Sequence, residues 1–315
     1  MLSVVIPLYN EETILDELVR RTSDSLNSFT DDYEIIFVDD GSTDNTLSKL
    51  LAFREKNKRI KILSLSRNFG HQAAYTAGLD HAGGDIVAMM DGDLQDPPEL
   101  LAEMYNKIVN NGYDIVSARK TARRGSLRRN IYTSLFHFVF KRIARLKNIA
   151  NTGNFSMMTL KAVKALTSMR ETIRYIPGLR AFVGFRQGFV DFVRDERFSG
   201  KPKMNMRKLF RLAGDAIFAF SKFPLRLCFF LGLTGVIVFL AAGIYVLIAK
   251  VMHFAIPGWS STLLSIYFLG SIQLVFLGII GEYVYRGYKE SQNRPLYFVG
   301  KCYGIACDEN EPGKA

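Results

Sequence analysis

Asp91, Asp93 and Asp96 fall within six positions of "MMDGDLQDPPEL" (89–100), directly after an apolar run, in a chain whose formal net charge is +11. Carboxylates this close repel one another, so a site that holds them supplies a cation, and oxygen ligands suit Mg²⁺ or Mn²⁺. Such a metal is commonly held by one or two carboxylates together with phosphate oxygens, so the chemistry implied is that of a divalent ion carrying a diphosphate. Gly92 would let the backbone come close to that ligand. A second acidic pair, Asp39 and Asp40, opens "VDDGSTDNT". An isolated Asp-x-Asp occurs by chance in many loops, so its meaning depends on what surrounds it.

The surrounding elements follow a simple rhythm. "LSVVIPL" (2–8), "YEIIFVD" (33–39), "IKILSLS" (60–66), "DIVAMMD" (85–91) and "DIVSAR" (114–119) are short runs rich in Val and Ile, separated by stretches of helical length. Alternating strand and helix signals predict an α/β domain with a mainly parallel sheet covered on both faces. Both acidic clusters then fall at carboxyl ends of strands, where open α/β sheets bind ligands. "GSTDNT" reads as a Gly turn and a helix cap, and the two prolines of "LQDPPEL" as the opening of a helix.

The second half is different in kind. No charged residue occurs from Leu227 to Ala249 (23 residues) or from Phe254 to Gly281 (28 residues), and each stretch exceeds the roughly 20 residues that a membrane-spanning helix needs. Two transmembrane helices are expected, since buried hairpins of soluble cores are usually shorter and amphipathic. Arg207, Lys208, Arg211, Lys222 and Arg226 precede the first span and Arg286, Lys289, Arg294 and Lys301 follow the second. Both ends should therefore be cytoplasmic. "MLSVVIPLYNEE" is too short and too soon acidic for a signal peptide. Expected boundaries are a catalytic domain over 1–200, a juxtamembrane amphipathic helix over 201–224, the hairpin over 225–285 and a cytoplasmic tail over 286–315. Three cysteines without metal-ligand spacing fit a reducing compartment and no disulfide framework.

Between Ile115 and Val190 there are sixteen Lys or Arg and one acid, Glu171. Nucleic acid is one partner for such a run, but no helix-turn-helix, zinc-finger or RNA-binding signature accompanies it. "NIYTSLFHFVFKRIARLK" (130–147) instead reads as a helix lying on anionic lipid.

Taken together, "VVIPLYNEE", "VDDGSTDNT", "LSRNFGHQAAYTAGLDHAGGD", "MDGDLQDPPEL", the "NTGNF" loop, "RFSGKPK" and "GEYVYRGYKESQNRPLY" resemble the family 2 glycosyltransferases of GT-A (Rossmann-like) fold. Within them the likeness is to the polyprenyl-phosphate glycosyltransferases, which include dolichyl-phosphate mannose synthase and the bacterial prophage-type glucosyl carriers, and it covers residues 1 to about 300. The resemblance implies an inverting, metal-dependent enzyme at the cytoplasmic face of a bacterial inner membrane. It would move one sugar from a nucleotide diphosphate, UDP before GDP, to polyprenyl phosphate, and homo-oligomers are a family expectation. By position, Pro7, Tyr9, Glu11, Asp39 and Asp40 would hold the base and ribose. Asp91 and Asp93 would sit at the sugar diphosphate as metal ligands, Asp93 foremost, with Gln95 beside them. Arg194, Arg197 and Lys203 match basic positions near the phosphates, Arg197 among the catalytic set. His71 reads as a helix start rather than a base.

One position departs from the family. Where its members commonly carry Asp, "NTGNF" has Asn154, which can neither ionise at neutral pH nor act as a base. A lipid monophosphate has a second pKa of about 6, so it arrives as a charged nucleophile with no proton to remove. The step needs aligned anions and a neutralised leaving group instead, and Arg119, Arg123, Arg124, Arg128 and Arg129 are candidates to draw in the lipid phosphate. Asn154 is then free to hydrogen-bond a sugar hydroxyl. A processive polysaccharide synthase is disfavoured because the Gln-x-x-Arg-Trp motif is absent and Trp259, the sole tryptophan, lies beside the spans. A catalytically impaired nucleotide-binding scaffold has Asn154 as its only argument.

Overall fold

Each Val- and Ile-rich run forms a strand: β1 (Leu2–Leu8), β2 (Tyr33–Asp39), β3 (Ile60–Leu65), β4 (Ile86–Met89) and β5 (Ile115–Lys120). The structure is a computed structural model and describes residues 1–120, 152–172, 174–192, 258–306 and scattered positions between 228 and 248. Helices α1 (Leu15–Asn27), α2 (Thr46–Lys56), α3 (His71–Asp80) and α4 (Leu101–Asn111) connect the five strands, α4 following a short 3-10 turn at Pro98–Leu100. Three further strands were not legible as such: β6 (Thr152–Thr159), β7 (Gln187–Phe192) and β8 (Val299–Tyr303), with α5 (Leu160–Ser168) and α6 (Ile176–Phe182) between β6 and β7.

The eight strands form one sheet in the order β7-β5-β6-β4-β1-β2-β3-β8. Pairings β1–β2, β1–β4, β2–β3 and β5–β7 are parallel, whereas β6 runs antiparallel between β4 and β5, and β8 antiparallel along β3. Successive strand residues face opposite sides. Val4, Ile6 and Leu8 therefore join a core with Leu15, Leu18, Met104 and Ile108 of α1 and α4, while Val5 joins another with Ala74, Tyr75 and Ala77 of α3. Because neither face meets water, the central strands read as continuous apolar runs rather than alternating ones. Each fully buried Val, Leu or Ile contributes about 1.5–3 kcal/mol.

From Thr152 on, "NTGNF" is therefore the start of a strand and not a loop. Its Gly and Asn carry little strand propensity, and the pairing of Thr152 with Arg119 of β5 ties the segment to the sheet. The expected tail over 286–315 differs as well: after residue 292 the chain rejoins the sheet. Tyr297 is buried in the α3-side core and its hydroxyl donates to Asp80 Oδ2 (2.8 Å), which also accepts from Arg170 (2.7 Å). Cys302 of β8 is disulfide-bonded, contrary to the reading of reduced thiols, because the sequence spacing gave no geometric signal for a bridge.

The chain divides into two compact units, one of Met1–Lys141, Leu146–Asn205 and Asn293–Ala315, the other of Arg142–Arg145 and Met206–Gln292. In the second lies α7 (Trp259–Ser291), a continuous helix that extends past the expected boundary at 285. Its Phe268–Ser291 segment is, among the described residues, the one helix long and apolar enough to cross a membrane. Of the expected first span only scattered positions are described, and they are helical. The expected amphipathic helix at 201–224 lies outside the described residues.

Candidate functional site

The acidic loop after β4 is shaped by its own backbone. Met90 N–H still bonds Val5 C=O, so Asp91 leaves the sheet beside the carboxyl end of β1. A Cβ on Gly92 would collide with the Leu8 side chain and come within 3.2 Å of Pro7 C=O. Its smallness thus serves the close approach to β1. Asp93 Oδ1 accepts from Gln95 N–H (3.2 Å), and buried Leu94 between them sits at φ +57°. A bulky residue at positive φ is strained, which is a common mark of loops shaped for binding. Asp96, the third carboxylate, is buried and accepts from Asp91 N–H at 3.5 Å. It belongs to the loop's framework.

Asp91 is held from the first turns of α3. Tyr75 Oη donates to Asp91 Oδ1 (2.6 Å), and His71 Nε2 lies 3.3 Å from the same oxygen. His71 and Tyr75 are one turn apart and so share a helix face. Burial first, then the charge of Asp91, pushes the Tyr75 phenol well above its ordinary value, so it stays a donor at any physiological pH. The sequence marked His71 only as a helix start. It does open α3, and it also meets the carboxylate. Tyr75→Phe removes a bond to a charged group worth roughly 1.5–3 kcal/mol. Transfer should fall by about 10- to 100-fold with folding retained, read as kcat beside a thermal melt.

The other acidic pair stitches loops together. Asp39 accepts from Ser42 N–H (3.1 Å) and from the Ser64 hydroxyl of β3 (3.2 Å). Both oxygens of Asp40 are engaged, Oδ1 by Phe69 N–H (2.7 Å) and Oδ2 by Gly70 N–H (3.0 Å), so Asp40 pins the β3–α3 loop. Asn10, at φ +53°, accepts from Thr43 N–H (2.8 Å), and Glu11 N–H donates to Thr46 Oγ1 (3.0 Å). The loops after β1 and β2 are thereby fixed to one another. Between them Gly41 has φ +68°, and a Cβ there would lie 2.6 Å from Arg67 C and 2.7 Å from Asn68 N. Gly41→Ala combines left-handed strain with a backbone collision. We expect a loss of about 2–4 kcal/mol, measured as a lowered denaturation midpoint.

Asn154 lies in β6, half-buried. Gln72 Oε1 accepts from Ile176 N–H (2.9 Å), which leaves Gln72 Nε2 to face Asn154 Oδ1 at 3.5 Å. A residue the sequence gave no reason to notice, Arg180 on α6, is 2% exposed and donates to Gly153 C=O (2.9 Å) and Asn154 C=O (3.3 Å).

The remaining candidates separate clearly. Tyr9 is 40% exposed at the end of β1 and Glu11 half-buried in the next loop, both at the carboxyl edge of the sheet, whereas Pro7 is buried within β1. Gln95 is buried beside Asp93. Arg119 is committed elsewhere: its guanidinium makes a two-pronged pair with Asp191, opposite it on β7 (2.6 and 2.8 Å). Arg123, Arg124, Arg128, Arg129, Arg194, Arg197 and Lys203 lie outside the described residues.

Among the described residues no group of three or more His, Cys, Asp or Glu side chains is gathered as a metal cage. What the loop offers is two hard carboxylates, Asp91 and Asp93, half-buried at a strand end. That set fits Mg²⁺ or Mn²⁺ completing its shell with substrate phosphate oxygens and water, and it suits neither a resident zinc nor a calcium cage.

Residues 3–167 match the family described as "Glycosyl transferase family 2". An uncharacterized glycosyltransferase of Synechocystis is 42% identical, with 96% of each chain covered. A second uncharacterized glycosyltransferase, from Bacillus subtilis, is 37% identical over 96% of this chain and 94% of its own. The Escherichia coli prophage bactoprenol glucosyl transferase homolog is 35% identical over 95% of this chain and 98% of its own. With the family matched over more than half of its length and these relatives over nearly all of it, the chain is a member of glycosyl transferase family 2.

Proposed function

We propose that this glycosyltransferase moves a single sugar from a nucleotide diphosphate sugar, UDP-glucose or a related UDP-sugar, to polyprenyl phosphate at the cytoplasmic face of a bacterial membrane. The observation that carries the reading is the Asp91–Asp93 loop standing beside β1, flanked by the loop framework of Asp39 and Asp40, in a chain matched almost end to end by a relative named for bactoprenol glucosyl transfer. The long apolar α7 segment supports a membrane setting.

In this reading Tyr9 and Glu11 border the nucleotide, and Asp91 and Asp93 would hold a divalent ion at the diphosphate. Bound there, the ion would neutralise the leaving diphosphate. Tyr75 and His71 keep Asp91 aimed, and the strained Leu94 keeps Asp93 presented. The acceptor phosphate, ionised near neutral pH, attacks the anomeric carbon from the face opposite the leaving group. One C–O bond forms, the C–O bond to the diphosphate breaks, and the nucleoside diphosphate departs with the electron pair, inverting the centre. No proton need be removed, so Asn154 in place of a carboxylate is compatible with turnover. Incubating the full-length protein with a panel of nucleotide sugars and a polyprenyl phosphate, then weighing the lipid product, tests the reading. A lipid mass unchanged with every donor would end it.

A further inference from the structure

α7 carries one amide deep in its apolar stretch. Gln273 stands nine residues before Glu282, the first charge after that stretch, and so roughly 13 Å into a hydrocarbon layer about 30 Å thick. Its neighbours one, three and four positions away on either side are Leu, Ile, Phe or Gly. The side chain is exposed and makes no hydrogen bond among the described residues. An amide taken from water into hydrocarbon is strongly disfavoured unless a partner meets it.

The chain's other apolar stretch does not supply that partner. Over residues 227–249 its polar side chains are Cys228, Thr234 and Tyr245, and Thr234 spends its hydroxyl on Phe230 C=O (2.9 Å). It also meets α7 on a different side. A Cβ on Gly232 would lie 3.7 Å from the Phe276 ring, and Ile272, Phe276, Ile279 and Tyr283 on that side are half-buried.

Roughly a third of a turn away runs a separate seam: Ile266, Gly270, Gln273, Leu277, Ile280 and Val284 follow one another at alternating steps of four and three residues. Its large members are open, from 51% exposed at Ile280 to 65% at Leu277 and Val284. A Cβ on Gly270 would meet nothing within 4 Å, so another helix backbone can come close there. The spacing is that of helices packed side by side, and the amide stands in its middle.

We infer that this seam receives a second copy of the same chain, inserted in the same direction, with Gln273 of each copy donating its NH₂ to the amide oxygen of the other. Glutamine both donates and accepts, so a two-fold axis along the membrane normal satisfies both amides at one depth with no further group. The inference rests on the membrane setting of α7 and is independent of sugar transfer.

The test uses full-length protein carrying donor and acceptor fluorophores, diluted in phosphatidylcholine vesicles, with energy transfer giving the dissociation constant of the pair. Gln273→Leu should weaken association by about 3- to 30-fold, and Gln273→Asn should keep most of it. Oxidative cross-linking in the same vesicles locates the contact. Leu277→Cys should yield a species of twice the chain mass above the wild-type background, whereas Val275→Cys, equally open but on the opposite side of α7, should not. An unchanged dissociation constant in Gln273→Leu overturns the proposal. So does equal cross-linking at positions 275 and 277, or an adduct of Leu277→Cys with some other protein when the cross-linking is repeated in whole-cell membranes. A vesicle-bound chain that stays monomeric refutes this inference and leaves the transferase reading intact, while release of the chain by alkaline carbonate removes the membrane setting and the inference together.

Discussion

Replacing Asp93 by alanine is expected to lower sugar transfer to lipid by roughly 10³-fold or more, since the charge opposing a departing diphosphate is usually the largest single contribution to such a step. The side chain is half-buried in a surface loop and outside both apolar cores, so the variant should melt near the wild-type temperature. Asp93→Asn keeps the acceptor for Gln95 N–H but not the charge, and should be nearly as inactive. Asp93→Glu retains the charge at the wrong reach and should fall between. Radiolabelled sugar counted in the lipid extract reads all three, and chelation should reproduce the alanine result in the wild type. Full activity in folded Asp93→Ala, or in the presence of chelator, removes the metal from the account.

The second large effect is expected at Asp40, through architecture instead of chemistry. Asp40→Ala strands Phe69 N–H and Gly70 N–H, the two donors that fix the entry to α3, on which His71, Gln72 and Tyr75 are carried. Unsatisfied buried donors cost about 1–3 kcal/mol each, and removal of a desolvated charge returns part of that, so a net loss of about 2–4 kcal/mol is expected. The pH dependence has a definite sign. Burial foremost, against the pull of the two N–H groups, raises the Asp40 pKa. The folded state therefore holds the proton more tightly than the unfolded chain, and the stability Asp40 confers is greatest in acid and diminishes as pH rises through its folded pKa. The gap between wild type and Asp40→Ala should narrow between pH 4 and pH 7, as followed by denaturant titration. A gap that widens over that interval contradicts the assignment.

What the sequence disclosed follows from how each feature is stabilised. The five Val- and Ile-rich strands were visible because burial on both faces leaves a continuous apolar signature, and β1, β2 and β5 begin and end within a residue of expectation. The start of β6 was taken for a loop because "TGNF" carries Gly and Asn and is tied to the sheet by β5, β4 pairing only from Ser156 onward. β8 was hidden by distance, lying beyond the apolar segments and pairing with a strand more than 200 residues earlier. Carboxylates at strand ends were legible as a site, but their division of labour was not. Nothing in "VDDGS" reveals that Asp40 accepts from two backbone donors of the β3–α3 loop. Arg180 was invisible because "IPGLRAF" offers no pattern from which burial of a cation can be read.

The seating of β8 along β3 has a practical corollary for anyone dissecting the molecule. A fragment ended at residue 200, where sequence alone would cut, lacks the strand that covers β3 and the Tyr297 plug that closes the underside of α3. Such a truncation bares a row of unpaired amides along Ile62–Leu65 together with an apolar hole, a combination that invites self-association. Grafting residues 293–306 back through a short flexible linker is the remedy the topology dictates.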